Sequence, residues 1–249
     1  MEQQIKECAK RLKLSWIPQN YKEVHAESHE EFLFKLFQNE IEQRERRKIN
    51  QLVKQATFPK ISGPPFEWDD VQLPQGVDKS YLLESKFADN AENLIFYGGV
   101  GTGKTYLATL IGLNAINKGQ RVKFYTVAHL VNKLMEANEK GALNQLFKQI
   151  EKLDLLICDE LGYIPLHKAG AELLFQVISL CYEKRSVIIT TNLSFGQWNH
   201  VFADQILTEA VIDRLIHHSH LVVFNGESYR YKESLLWPSK ERLIESVDQ

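Results

Sequence analysis

The sequence predicts an α/β protein, a five-stranded parallel sheet covered by helices on both faces, with a small all-helical unit in front of it. Three observations predict it. Short β-rich apolar runs alternate with helical patterns through the last two thirds of the chain, the rhythm of a parallel sheet with crossover helices. The first sixty residues show only 3.6-residue periodicity, and prolines and aromatics interrupt all periodicity between Phe58 and Gly76. The boundaries read as a helical domain over 1–58, a linker over 59–76 and the α/β domain over 77–249.

In the first unit an amphipathic helix is expected near Glu2 to Lys13. A longer one is expected from His29 to Ala56, opened by the capping-box pair Ser28 and Glu31 and closed by Pro59. Phe32, Leu33, Leu36, Phe37, Ile41, Ile49, Leu52 and Val53 fall at helical spacing along it. Beyond the linker the strands are predicted at Leu94–Tyr97, Val122–Thr126, Leu153–Cys158, Val187–Thr191 and Leu221–Phe224. A helix follows the first strand, from Gly103 to Gly119.

With 249 residues, 44% hydrophobic and 25% charged, the chain can bury one good core plus a small accessory domain. A net charge of -2 gives no global attraction to phosphate polymers, so a nucleic-acid surface has to be a local one. Cys8, Cys158 and Cys181 are odd in number and widely spaced, which argues against a disulfide frame. No apolar run approaches a membrane span and the first residues are charged, so a cytoplasmic location is expected.

The chemistry is concentrated in Gly98, Gly99, Val100, Gly101, Thr102, Gly103, Lys104 and Thr105, which spell GGVGTGKT between a predicted strand and a predicted helix. Glycines let backbone N–H groups turn inward so that phosphate oxygens can approach closely. The positive end of the next helix adds to the anion site; Lys104 can reach the β and γ phosphates, and the Thr105 hydroxyl can ligate Mg²⁺. ATP with Mg²⁺ is therefore the expected ligand, with Tyr106 next to it. Asp159 ends an apolar strand where its carboxylate can hold the metal through water, and Glu160 beside it is placed to act as general base on an attacking water. Asn192 either reaches the γ-phosphate from the neighbouring strand tip or starts a turn. Arg214, in a helical stretch, reads on its own as a solvated charge. The histidines at 217, 218 and 220 read as helix-end residues, since neither cysteine nor carboxylate completes a metal set at familiar spacing.

Basic residues cluster at Arg44, Arg46, Arg47, Lys48, Lys54 and Lys60, against one acidic residue, Glu45. The first sixty residues carry 12 basic and 9 acidic side chains, a net +3, against 18 and 23 in the remainder, a net -5. The asymmetry makes the N-terminal unit the expected contact with double-stranded DNA, through phosphates and with weak sequence preference.

In order and spacing, GGVGTGKTYLA, CDELGYIPL, YEKRSVIITTNLSFGQW, AVIDRLIHHSH and GESYRYKE resemble the IstB-like transposition helper ATPases, as do RLKLSWIPQNY and KINQLVKQATFPK near the N-terminus. That family belongs to the AAA+ class and is related to the DnaC-type helicase loaders. The resemblance implies an ATPase that assembles into an oligomer on duplex DNA in its ATP state, deforms the duplex and recruits a partner transposase. By the same match Asn192 resembles the sensor-1 residue, and Arg214 resembles the arginine finger that reaches a neighbouring subunit's γ-phosphate; Arg185 is expected to face a neighbour as well. No C-terminal helical lid is expected. The usual prolines are absent at Gly99 and Val100, and Tyr106 stands for a frequent histidine. A helicase loader, a P-loop small-molecule kinase and a nucleotide-gated assembly module without turnover are the alternative readings.

Overall fold

The computed structural model describes residues 1–61, 65–202 and 204–231, and the chain divides into two compact units, Met1–Leu52 and Val53–Gln249. The first contains α1 (Glu2–Arg11), α2 (Ile17–Asn20) and most of α3, which runs from His29 to Ala56 as its periodicity requires. Its entry is capped by Ser28, whose hydroxyl accepts the Glu31 N–H at 3.1 Å, while the Glu31 carboxylate reaches back to the Glu27 N–H at 2.8 Å.

Glu40, only 3% exposed, organises this unit. Its carboxylate accepts the backbone N–H groups of Ser15, Trp16 and Ile17 at 2.7 to 3.2 Å, which are the donors a helix N-terminus leaves unpaired, and pairs with Arg44 at 3.0 Å. Burial pushes the Glu40 carboxyl up, but these donors outweigh it and hold it below its ordinary value. Leu36 is buried, whereas Leu33, Phe34, Phe37 and Ile41 are exposed along the helix.

The second unit holds β1 (Val71–Gln72), α4 (Lys79–Leu83), α5 (Lys86–Asp89), β2 (Asn93–Gly98), α6 (Lys104–Asn117), β3 (Val122–Thr126), α7 (Val127–Glu139), α8 (Leu143–Ile150), β4 (Leu155–Leu161), α9 (Lys168–Cys181), β5 (Ser186–Thr191), α10 (Asn199–Phe202), α11 (Gln205–Ile216) and β6 (Ser219–Phe224). The strands form one sheet in the order β1-β6-β2-β5-β4-β3. All five predicted strands are present and parallel. The prediction of five is corrected by β1, an antiparallel sixth strand pairing Val71 with Phe224 inside the stretch read as linker. Two residues are too few for an alternation signal.

Leu156, Cys158, Val187 and Ile189 pack with Leu130 and Leu134 of α7, Leu174 and Val177 of α9, and the fully buried Trp198. α6 lies against the other face, where Gly112 meets Ile157. This places β5 between β2 and β4, so the tip of one strand stands between the two that carry the motifs. Cys158 and Cys181 are buried free thiols, and burial raises both, Cys181 to about 12. On the outer strand β3 the Thr57 hydroxyl donates to the Phe124 carbonyl at 3.2 Å, and Lys123 Nζ donates to the Gln55 carbonyl at 2.6 Å. Among the described residues no helix is long and apolar enough to cross a membrane. Residues 232–249, where a lid would follow, lie outside the described residues.

Candidate active site

β2 ends at Gly98 and α6 begins at Lys104, so the loop between them is short and must reverse tightly. Gly101 and Gly103 take left-handed backbone angles, φ 78° and 94°, that a side chain would strain. At Gly101 space forbids one as well: a Cβ there would lie 2.2 Å from the Ser228 hydroxyl. Lys104, 6% exposed, folds back so that Nζ donates to the carbonyls of Gly98 at 2.8 Å and Gly99 at 2.5 Å. Burial lowers the Lys104 pKa to about 8; the Asp159 carboxylate pulls against the fall and the Arg230 guanidinium adds to it.

Thr105 Oγ1 donates to both Asp159 oxygens, at 2.9 and 3.0 Å. From β5, Thr190 Oγ1 donates to Asp159 Oδ1 at 2.5 Å and accepts the Glu160 N–H at 2.9 Å. Asp159 is 3% exposed, and burial raises its pKa in spite of these hydroxyls and Lys104. β4 continues to Leu161 rather than stopping at Cys158, with a register shift between Cys158 and Leu161 that leaves Glu160 at φ 63°. A left-handed glutamate costs on the order of 1–3 kcal/mol, and such strain gathers where a side chain must be aimed. Asn192 follows β5, and its Oδ1 is buried without a hydrogen-bond partner.

The fold thus collects Lys104, Thr105, Asp159, Glu160 and the Asn192 strand tip at the carboxyl edge of three adjacent strands. Arg214 is not among them. Its Nη1 donates to Ala210 O at 3.1 Å and its guanidinium lies 4.6 Å from the Phe175 ring centre of α9. Tyr106 stacks on Phe66, with ring centres 5.7 Å apart, and Phe66 also touches the Cβ position of Gly103. Phe66, Thr190 and the 228–230 turn were not singled out by sequence reasoning. Only the aromatic density around Trp68 and the GESYR string offered a signal, and both contacts with the loop are far away in sequence.

Of the six basic residues near the end of α3, all exposed, Arg44 bonds Glu40 and the Lys13 carbonyl, and Arg47 bonds the Ser15 hydroxyl. Arg46, Lys48, Lys54 and Lys60 form no ion pair among the described residues. At the other edge of the sheet Glu183 supplies the carboxylate that spacing had not offered to His217 and His218, at 4.0 and 3.5 Å.

The IstB-like ATP binding protein family matches residues 9–236, nearly the whole chain. The chain belongs to that family. This IstB-like chain is 37% identical over 251 residues to the ATP-binding protein of insertion sequence IS5376 from Geobacillus stearothermophilus, covering 97% of this chain and 99% of that protein. It is 36% identical over 209 residues to the ATP-binding protein of insertion sequence IS21 from Pseudomonas aeruginosa, covering 83% and 78%. Its fold is similar to that of the DnaC helicase loader, at 24% identity and a TM-score of 0.51 over 59% of this chain and 88% of that one. The replication initiator DnaA bound to AMPPCP and single-stranded DNA matches at 22% identity and the same TM-score, over 65% and 51%.

Proposed function

We propose that this IstB-like protein is a cytoplasmic AAA+ ATPase that assembles on double-stranded DNA in its ATP state, deforms the duplex and delivers it to a partner transposase. The observation that carries the reading is the bonded cluster Thr105–Asp159–Thr190–Glu160 beside a buried Lys104, a triphosphate cradle joined to a strained glutamate. In this reading Lys104 and the loop N–H groups hold the β and γ phosphates. The Thr105 hydroxyl and the Asp159 carboxylate are an all-oxygen donor pair that suits Mg²⁺, which keeps most of its waters. They would hold it directly and through water, and the ion would draw charge from the phosphate oxygens. Glu160 takes the proton of the attacking water as its oxygen bonds the γ-phosphorus and the bond to the ADP oxygen breaks. The Asn192 amide, whose buried Oδ1 has no hydrogen-bond partner, is the group that would hold that water.

Arg214 lies on α11 against α9, with none of the cradle side chains as partner, which favours action on a neighbouring subunit's nucleotide. Likeness to the DnaC loader stays within 59% of this chain, whereas likeness to the insertion-sequence protein extends over 97% of it, which favours transposition over helicase loading.

Lys104 gives the cradle a pH signature. Its pKa of about 8 lies below the ordinary 10.5, and a bound polyphosphate favours the charged form. Nucleotide binding above pH 8 therefore takes up a proton, and affinity should fall by about tenfold per pH unit from there towards 10.5. The apoprotein does the reverse: unfolding binds a proton in that window, so its stability gains from rising pH. Calorimetry of ATP binding in buffers of different ionisation enthalpy measures the uptake, and an affinity flat from pH 7 to 10 contradicts the assignment.

The whole reading is tested by turnover and particle mass with and without duplex DNA. DNA should raise both when ATP is present. Its affinity should drop with salt at a slope of about -0.9 per neutralised phosphate, and Lys48→Ala with Lys54→Ala should lower that slope by about two. DNA that changes neither turnover nor mass sinks the proposal.

A further inference from the structure

Helices α9 and α11, which bring Phe175 and Arg214 together, also end side by side. α9 stops at Cys181 and α11 at Ile216, and the negative carbonyl end of each favours a cation beside the residues that follow, Tyr182 and Glu183 on one and His217 and His218 on the other. The backbone beneath them is fixed by Asn93, buried at the start of β2. Its side-chain amide donates to the Leu215 carbonyl at 3.2 Å, its Oδ1 accepts the Val187 N–H at 2.9 Å, and its backbone N–H donates to the His218 carbonyl at 2.7 Å. Across from it the Cys181 carbonyl accepts the N–H groups of Lys184 at 3.0 Å and Arg185 at 2.9 Å, closing a turn in which Glu183 takes φ 56°. Glycine is the unstrained residue at a left-handed helix end, yet this one carries a carboxylate. Glu183 Oε1 lies 3.5 Å from His218 Nε2 and 4.0 Å from His217 Nδ1, and the Tyr182 hydroxyl stands 2.9 Å from the same Nδ1.

We propose that Glu183, His217 and His218 form a binding site for a divalent transition-metal ion of the zinc class, at the amino ends of β5 and β6 and opposite the phosphate loop. Among the described residues these are the histidine, cysteine and carboxylate side chains whose ligand atoms converge, all within 4.8 Å of one another. Ligands held at about 2.0–2.2 Å by a tetrahedral zinc ion stand roughly 3.3 Å apart. The observed separations close on that value through small rotations of side chains that are 54%, 54% and 49% exposed, and the same exposure gives an ion its way in. Two imidazole nitrogens with one carboxylate oxygen suit zinc, whereas magnesium takes an all-oxygen set, so this site and the nucleotide's would draw different ions. The fourth position is left to water or to the Tyr182 hydroxyl. A bound ion ties the end of α9 to the end of α11 and the start of β6, and so fastens the helix that carries Arg214.

The test is titration of the nucleotide-free full-length protein with Zn²⁺, read by calorimetry and by melting temperature. One tight equivalent is expected, which millimolar Mg²⁺ does not displace, and at a hundred times its Kd it should raise the melting temperature by about 5 °C or more. His218→Ala and Glu183→Gln should each weaken that equivalent by at least about tenfold. Glu183→Gly relieves the strained turn, so it should melt above the wild type without zinc and lose the response to it. An equivalent that all three variants retain would place the ion elsewhere and overturn the inference. Zinc held no more tightly than magnesium would leave the cluster an ion pair of glutamate with histidine, and binding without a rise in melting temperature would remove the tie between the helices; either result overturns it too.

Discussion

Glu160→Gln should bind ATP with the affinity of the wild type, turn it over about 10²- to 10⁴-fold more slowly, and accumulate the DNA-bound assembly. The amide fills the same volume and leaves the Glu160 N–H on Thr190, so the fold around it is unchanged; only the ability to accept a proton is lost. Single-turnover hydrolysis alongside nucleotide binding separates the two effects. A second variant tests why the backbone there is strained. Glycine tolerates φ 63° freely, so Glu160→Gly should be as inactive while gaining about 1 kcal/mol of stability. A glutamine variant at full turnover removes Glu160 from the role of base.

Arg214→Ala should cost about 10³- to 10⁵-fold in turnover without loss of ATP binding, the size of effect an arginine supplied in trans has on phosphoryl transfer. In the isolated subunit the guanidinium rests on Phe175, a contact of about 0.5–2 kcal/mol that a neighbour's γ-phosphate can outweigh. Mixing Arg214→Ala with Lys104→Ala is the decisive measurement. The first keeps an intact cradle and the second an intact finger, so mixed assemblies should regain activity that neither has alone. A mixture no faster than the sum of its parts places the arginine's effect within its own subunit.

The parallel strands and α3 were legible because each carries its own local pattern: β-rich runs bounded by turn residues, and a capped 3.6-residue period. The loop from Gly98 to Thr105 was legible because its backbone geometry restricts it to glycine at fixed places. What escaped depends on distant partners. β4 was ended at Cys158 because two acidic residues break the apolar run, yet pairing resumes at Leu161 with Thr191. Glu40 looks like any solvated helix charge, and only the approach of residues 15–17 makes it a buried cap. Phe66 and Tyr229 reach the loop from positions 37 residues before Gly103 and 128 residues after Gly101, separations on which periodicity is silent. Asn192 and Arg214 were ambiguous by spacing alone, and neither the missing hydrogen-bond partner of the one nor the aromatic rest of the other is visible in the sequence.

Thr57 and Lys123 at the outer strand, with the two-residue β1 at the opposite side, have a consequence for crowding. Strands with open flanks zip onto their neighbours when molecules are held at high local concentration, and a polymer lined with subunits creates such a concentration. Here the Thr57 hydroxyl occupies the Phe124 carbonyl on one flank and β1 covers the end of β6 on the other, which removes two places from which such a zipper could start.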